Sequence, residues 1–301
     1  MLDINLLGTG GMVPLPGRFL TALMIRCRGA AILIDCGEGT QVAIRAAGLG
    51  FKQIGVIALT HFHADHIAGL PGLLLTIGNS GRTEPLTIVG PQYVGQIVDC
   101  LRVIAPQLPY PIEYREIMSD GPVWADGPLS LSVQAVEHWI PCYAYKVSLA
   151  RSAKFNADKA RELNIPVRSW SVLQSGAAVE VDGRIINPGA VMGPARKGLE
   201  VCYATDLRPG EGLVRFAENA DLFICEGMYG DPELYEKAVE HRHCLFTEAA
   251  DMAARAGVSA LWLTHFSPSM PDPENYLPQA RAVFANTFID QTGVTLRFQD
   301  A

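Results

Sequence analysis

No stretch of this sequence approaches the roughly 20 consecutive apolar residues that a membrane-crossing helix requires. Its most apolar windows, such as "IAGLPGLLLTIG", are broken by glycine and proline, so no transmembrane span is expected. The N-terminal "MLDINLLGTGG" has no positively charged region and no cleavage site, so no secretory signal is expected either. Cysteine pairing is absent from the pattern. Seven cysteines are an odd number with no CxxC pair, which argues against a disulfide framework. Reduced core thiols in a cytoplasmic protein are expected instead. Positive charge is not in excess: the net charge is −7, so no global basic field draws in nucleic acid. Charged residues make up only 18% of the chain against 49% hydrophobic, which excludes general disorder. At 301 residues the chain can build one large core or two fused halves.

Strand-like and helix-like segments alternate along the chain. "INLLGTGG", "ALMIRCRG" and "AAILIDCGEG" read as strands, "TQVAIRAAGLG" as a helix, and "IGVIALTH" as a strand again. The last third repeats the alternation, from strand "LEVCYATD" through "DLFICEG" and "SALWLTHF" to strand "VTLRFQ" at 294–299, with helices between. Leu-Thr-His-Phe occurs twice, at 59–62 and 263–266, and each copy closes an apolar strand. Two sheets covered outside by helices are expected. Residues 151–198 stand apart as an inserted, arm-like segment. Across 151–200 the net charge is +3, against −10 for the remainder.

The chemistry gathers in "LTHFHADHIAGLPG", residues 59–72. Imidazole nitrogens and carboxylate oxygens are ligands for zinc and similar ions. His61 and His63, two apart on an extended segment, face the same side. Asp65 and His66 follow where the chain turns into a helix. This one loop can therefore offer two pairs of ligands to two adjacent metals. Further ligands should come from other strand ends, and three polar residues stand there: His138 after "LSVQAVE", Asp206 after "LEVCYAT" and His265 after "LWLT". Asp206, with two oxygens, can bridge.

"HFHADH" with isolated His138, Asp206 and His265 downstream resembles the metallo-β-lactamase superfamily. "LLGTGG", "IDCGEGTQ" and "HFHADHIAGLPGLL" are similar to ribonuclease Z, the tRNA 3′-processing endonucleases, and "HWIPCYAY", "YATDLRP", "ICEGMY", "KAVEHRH" and "LTHFSP" continue the likeness in the same order. The resemblance covers nearly the whole chain. It implies an α/β fold, a four-layer αββα sandwich, with two zinc ions at one edge; manganese or iron can share such ligands. It implies His61, His63 and His138 on the first ion, Asp65, His66 and His265 on the second, and Asp206 between them. Asp35 would steady a ligand from behind, Asp65 would orient or deprotonate water, His243 would protonate the leaving oxygen, and Glu226 would orient His243. Precursor tRNA and a homodimer are the implied partners. Arg151, Lys154, Lys159, Arg161 and Arg168 would meet RNA phosphates, and Trp170 would pack on RNA or protein.

The sequence departs from the family pattern in three places. "IPVRSWSVLQSG" lacks the Gly-Pro tip of the arm, Ser267-Pro268-Ser269-Met270 replaces an arginine and an aromatic, and Thr21-Ala22 keeps only part of a small polar pair. A dinuclear-metal phosphodiesterase acting on a small nucleotide or another ester is therefore the alternative reading. A nonhydrolytic binding module is a third, against which the complete ligand set argues.

Overall fold

The structure is a computed structural model, in which residues 1–194, 196–290 and 293–297 are described. Two compact units divide the chain: Met1–Ser148 with Leu199–Ala301, and Leu149–Gly198.

In the larger unit the chain first lays down β1 (Leu2–Gly8), β2 (Ala22–Cys27), β3 (Ala30–Ile34), β4 (Ile54–Ala58), β5 (Leu86–Gly90) and β6 (Ile112–Glu116). It then forms β7 (Gly121–Asp126), β8 (Leu129–Val136) and β9 (Cys142–Arg151). The hairpin β10 (Val179–Val181) and β11 (Arg184–Ile186) belongs to the smaller unit. There follow β12 (Arg196–Ala204), β13 (Leu222–Glu226), β14 (Leu261–Thr264), β15 (Thr287–Phe288) and β16 (Val294–Leu296). The strand expected at 294–299 is thus β16, and Phe298 and Gln299 lie outside the described residues.

Two seven-stranded sheets result, in the orders β16-β1-β2-β3-β4-β5-β6 and β15-β14-β13-β12-β9-β8-β7. Strands β3 to β6 run parallel, as do β12 to β15. Parallel strands are covered on both faces and so read as unbroken apolar runs, as in "AAILI" of β3 and "LFICE" of β13. Strand β8 differs: Leu129, Leu131 and Val133 are buried, while the serines between them are half-buried.

Alternation along the strands assigns the two faces. From β3, Ala31 and Leu33 pack with Ile44, Leu73, Leu74, Ile77 and Val98 of the helices Thr40–Ala46, Leu70–Asn79 and Val94–Leu101. From β13, Phe223 and Cys225 pack with Leu213, Ala249, Met252 and Ala280 of Glu211–Phe216, Phe246–Ala256 and Leu277–Val283. The residues between, among them Ile32, Ile34, Ile224 and the fully buried Tyr145, Tyr203 and Trp262, point to the other faces. There the sheets meet, with Tyr145 Oη donating to the Leu59 carbonyl at 2.9 Å. The layers are helix, sheet, sheet, helix, as expected from the sequence.

The smaller unit has its own core of Ala160, Ile165, Leu173, Val181 and Val191. Asn156 caps its helix Ala157–Glu162 by accepting from the Lys159 amide at 3.0 Å. No helix among the described residues is long and apolar enough to cross a membrane.

Candidate metal centre

Parallel strands end on a common edge, and the residues just beyond their carboxyl ends meet there whatever their separation in sequence. Asp35 directly follows β3, Thr60 and His61 stand two and three residues beyond β4, Asp206 stands two residues beyond β12, Glu226 closes β13, and His265 directly follows β14. Asp35, Asp206 and His265 take left-handed backbone angles, with φ of 61°, 57° and 58°. Such conformations cost on the order of 1 kcal/mol or more and are tolerated best by Asp, Asn and His. They turn each side chain sharply off its strand. His63 precedes the short helix Ala64–Ile67, which carries Asp65 and His66.

Asp206 lies at the middle. Its Oδ2 is 3.0 Å from His66 Nε2 and 3.2 Å from His265 Nε2. Its Oδ1 is 3.9 Å from His61 Nε2 and 3.8 Å from His138 Nε2. One oxygen therefore faces each histidine group. His138 Nε2 is 3.3 Å from His63 Nδ1, and His66 Nε2 is 3.2 Å from His265 Nε2. Asp65 Oδ2 completes the second group, 3.7 Å from His66 Nε2 and 3.5 Å from His265 Nε2. The donors of His61, His63, His138 and Asp206 lie within 4.8 Å of one another, as do those of Asp65, His66 and His265.

The spacing fits metal ions. Two nitrogens on one tetrahedral zinc, each 2.0–2.1 Å from it, stand about 3.3–3.4 Å apart. Without a cation, His61 Nε2 is a buried polar atom with no hydrogen-bond partner. Leaving such an atom unmatched is costly, and a shared ion matches it.

The surroundings prepare the donors. Asp35 is fully buried and accepts from the Thr60 amide at 2.8 Å, from Thr60 Oγ1 at 2.9 Å and from His66 Nδ1 at 2.8 Å. A proton on His66 Nδ1 leaves the Nε2 lone pair aimed at Asp206. Thr60 Oγ1 also lies 3.0 Å from His61 Nδ1. Burial holds the imidazoles of His61, His63 and His138 below their usual pKa, which keeps them neutral, the form that binds metal. Burial opposes charge on Asp206 too, but His265, His66 and His61 outweigh it and hold its carboxyl well below the ordinary range. Burial likewise opposes a proton on His66, yet Asp206 and Asp35 raise its pKa well above the usual value. The same field that draws a proton there draws a cation.

Beside this cluster, His243 Nδ1 contacts Glu226 Oε2 at 3.0 Å, and Glu226 Oε1 accepts from the Leu207 amide at 2.6 Å. Burial works against charge on His243, but the Glu226 carboxylate prevails and pushes its pKa up to about 9. A cleft of about 350 Å³ opens over these groups, lined by His63, Asp65, His138, Asp206, His243 and His265 among others.

Known proteins are similar to this chain along its whole length. A ribonuclease Z of Agathobacter rectalis is 51% identical to this chain, with 100% of each covered. A ribonuclease Z of Lachnospira eligens is 49% identical over 100% of this chain and 99% of its own. The chain belongs to the ribonuclease Z family. A sequence model described as Anti-Pycsar protein Apyc1 also matches residues 2–103. Among solved structures, the short form of human tRNase Z superposes with a TM-score of 0.70 at 23% identity, covering 98% of this chain and 100% of that one. The metallo-beta-lactamase fold protein YhfI from Bacillus subtilis gives 0.70 at 20% identity, covering 97% of each. Both likenesses identify the fold.

Within this ribonuclease Z chain, Asp35 and Glu226 stand behind histidines as expected from the sequence, but other supports were not foreseen. Thr60 is one. The backbone amide of Met12 is another, donating to Asp65 Oδ2 at 2.8 Å. Two glycines let backbone pass close to the site. A Cβ on Gly11 would stand 2.8 Å from His265 Cε1, and one on Gly37 would stand 2.3 Å from the Asp65 carbonyl oxygen. The "GTGG" and "DCGEG" runs were the available signals. In the smaller unit, Lys154, Lys159, Arg161 and Arg168 are exposed and Arg151 is half-buried. Arg161 pairs with Asp158 at 2.6 Å. Trp170 packs inward, its ring 5.3 Å from Phe155 and its Nε1 donating to the Ile165 carbonyl at 3.0 Å. It belongs to the core of its own unit rather than to an open docking face.

Proposed function

We propose that this chain is a metal-dependent endoribonuclease that removes the 3′ trailer from precursor tRNA, with His61, His63 and His138 on one zinc ion, Asp65, His66 and His265 on a second, and Asp206 shared. The observation that carries the reading is the position of the two Asp206 oxygens, each turned toward a different histidine group. The nitrogen-rich donor set suits zinc, and manganese and iron accept it too. A metal pair supplies Lewis acidity toward a phosphoryl oxygen and acidifies water near neutral pH.

The side chains divide the remaining work. Asp65, held by the Met12 amide, orients the attacking water and takes its proton. Water oxygen bonds to phosphorus, and the bond from phosphorus to the upstream 3′-oxygen breaks. Since Nδ1 of His243 faces Glu226, its Nε2 delivers the proton to that leaving oxygen. Glu226 is the positioning residue, locked on its other oxygen by Leu207. The products are a tRNA ending in a 3′-hydroxyl and a trailer beginning with a 5′-phosphate.

The exposed basic residues of the smaller unit supply sequence-tolerant phosphate contacts, as an arm for RNA. A homodimer is part of this reading on family resemblance, and sedimentation tests it. Six buried thiols and no disulfide among seven cysteines support a cytoplasmic setting.

The deciding assay uses the purified, metal-loaded chain on a trailer-bearing precursor tRNA and on bis(p-nitrophenyl) phosphate. The proposal expects cleavage of both. Cleavage of the small diester alone favours a small-ester phosphodiesterase, and cleavage of neither with metals bound favours a binding module.

A further inference from the structure

The four tryptophans are placed unequally. Trp262 is fully buried, Trp124 and Trp170 are half-buried, and Trp139 is 61% exposed. Burying an indole is strongly favourable, so a tryptophan left open beside a polar cleft calls for an explanation. Trp139 lines the cleft over the metal centre and follows His138 directly in sequence.

One face of the indole is already taken. The Arg242 guanidinium lies 4.3 Å from the ring centroid. Arg242 is itself pinned: its Nη1 donates to the His138 carbonyl at 2.8 Å, and its backbone is left-handed, with φ of 58°, at the end of the helix Tyr235–His241. It immediately precedes His243. The stacked pair is thus tied by chain connectivity to a ligand on one side and to the proton donor on the other. On that reading the scissile phosphate sits in the cleft that His138 and His243 both line, with their ring centroids 5.7 Å apart. A base attached to that phosphate reaches the cleft rim.

We propose that Trp139 is a stacking platform for a nucleobase next to the scissile phosphate, with Arg242 backing the ring and holding it in place. The proposal deepens the reading above and rests on it. A base sandwiched on an indole that carries a cation on its far face gains both stacking and polarisation. The platform is sequence-tolerant, because every base has a π face. Trp139 is therefore a substrate-positioning residue: it grips the nucleotide rather than taking part in bond breaking.

Calorimetric titration of the metal-loaded protein with adenosine 5′-monophosphate and with ribose 5-phosphate tests this. The two probes share the phosphate and sugar and differ in the base. Wild type should bind the nucleotide about 10-fold more tightly, the scale of one stacked base. Trp139→Ala should bring the two probes to equal affinity, and Trp139→Phe should keep most of the preference. Equal affinities in wild type, or a preference that survives Trp139→Ala, overturns the platform. On precursor RNA, Trp139→Ala should raise KM about 10-fold with a much smaller change in kcat. A fall in kcat at unchanged KM contradicts it. If wild type cuts no RNA at all, the tRNA reading fails, and the mononucleotide titration still decides the role of Trp139.

Discussion

The two copies of Leu-Thr-His-Phe share four residues and almost nothing of their support. In the first, Thr60 Oγ1 contacts both oxygens of Asp35, at 3.0 and 2.9 Å, and lies 3.0 Å from His61 Nδ1. In the second, Thr264 Oγ1 and His265 Nδ1 are buried without a hydrogen-bond partner. His265 also carries a left-handed φ of 58°, which His61 does not. What holds the second copy is backbone: the Thr264 carbonyl accepts from the Gly227 amide at 2.8 Å, and the Phe266 amide donates to the Thr9 carbonyl at 2.7 Å. Side-chain hydrogen bonds brace His61, and chain geometry braces His265. A ligand can thus be spelled the same way twice and be held by different physics.

Removing the residue common to both halves should have the largest effect. Asp206→Ala leaves both histidine groups without the carboxylate between them. Activity on a phosphodiester should fall on the order of 10³-fold, the equivalent of about 4 kcal/mol for one uncompensated buried partner. Metal analysis of the purified variant should show both ions weakened; loss of only one would place Asp206 in a single half.

Next comes the proposed proton donor. His243→Ala should slow turnover on RNA by roughly 10²–10⁴-fold while metal content stays at the wild-type level. The pH profile sharpens this. The pKa of His243 is raised from 6.5 to about 9, so the acid form is present below that value and is lost above it. Wild-type kcat should fall as pH rises through about 9, and the variant should lack that limb. The His243–Glu226 contact likewise adds stability that is complete below pH 6.5 and gone once the pH passes about 9.

The contrast between the copies predicts an asymmetry. Thr60→Val breaks the link from Asp35 to His61 and should weaken metal affinity by roughly 10-fold, while Asp35→Asn, which also alters the direct contact to His66, should cost roughly 10–100-fold. Thr264→Val removes a hydroxyl that already lacks a partner and should leave affinity unchanged or stability slightly higher. Competition with a chelator measures both, and equal losses for Thr60→Val and Thr264→Val would erase the distinction. The smallest effect belongs to the arm. Lys154→Ala with Lys159→Ala should raise KM for RNA a few-fold and flatten its salt dependence by up to roughly 0.7–0.9 for each phosphate no longer neutralised.

The side chains that meet at the candidate centre were legible in sequence because metal chemistry restricts residue types and because apolar strands announce where their tips lie. "HFHADH" and the polar residues closing "LEVCYAT" and "LWLT" carried both signals. The large sheets were legible for the same reason: buried parallel strands leave long apolar runs. Strand β7 was not, because "GPVWAD" opens with Gly-Pro at a half-exposed sheet edge, where pattern is weak. The three-residue strands β10 and β11 are too short to show a period. Supports such as the Met12 amide leave no trace in side-chain identity at all. Trp170, expected to pack on RNA or protein, is half-buried against a small core of five buried residues in its own unit.

Anomalous diffraction from a zinc-loaded crystal shows most directly whether two ions share one carboxylate. Two peaks are expected, one among His61, His63 and His138 and one among Asp65, His66 and His265, with an Asp206 oxygen bonded to each. A single peak, or two peaks with Asp206 turned away from either, contradicts that sharing.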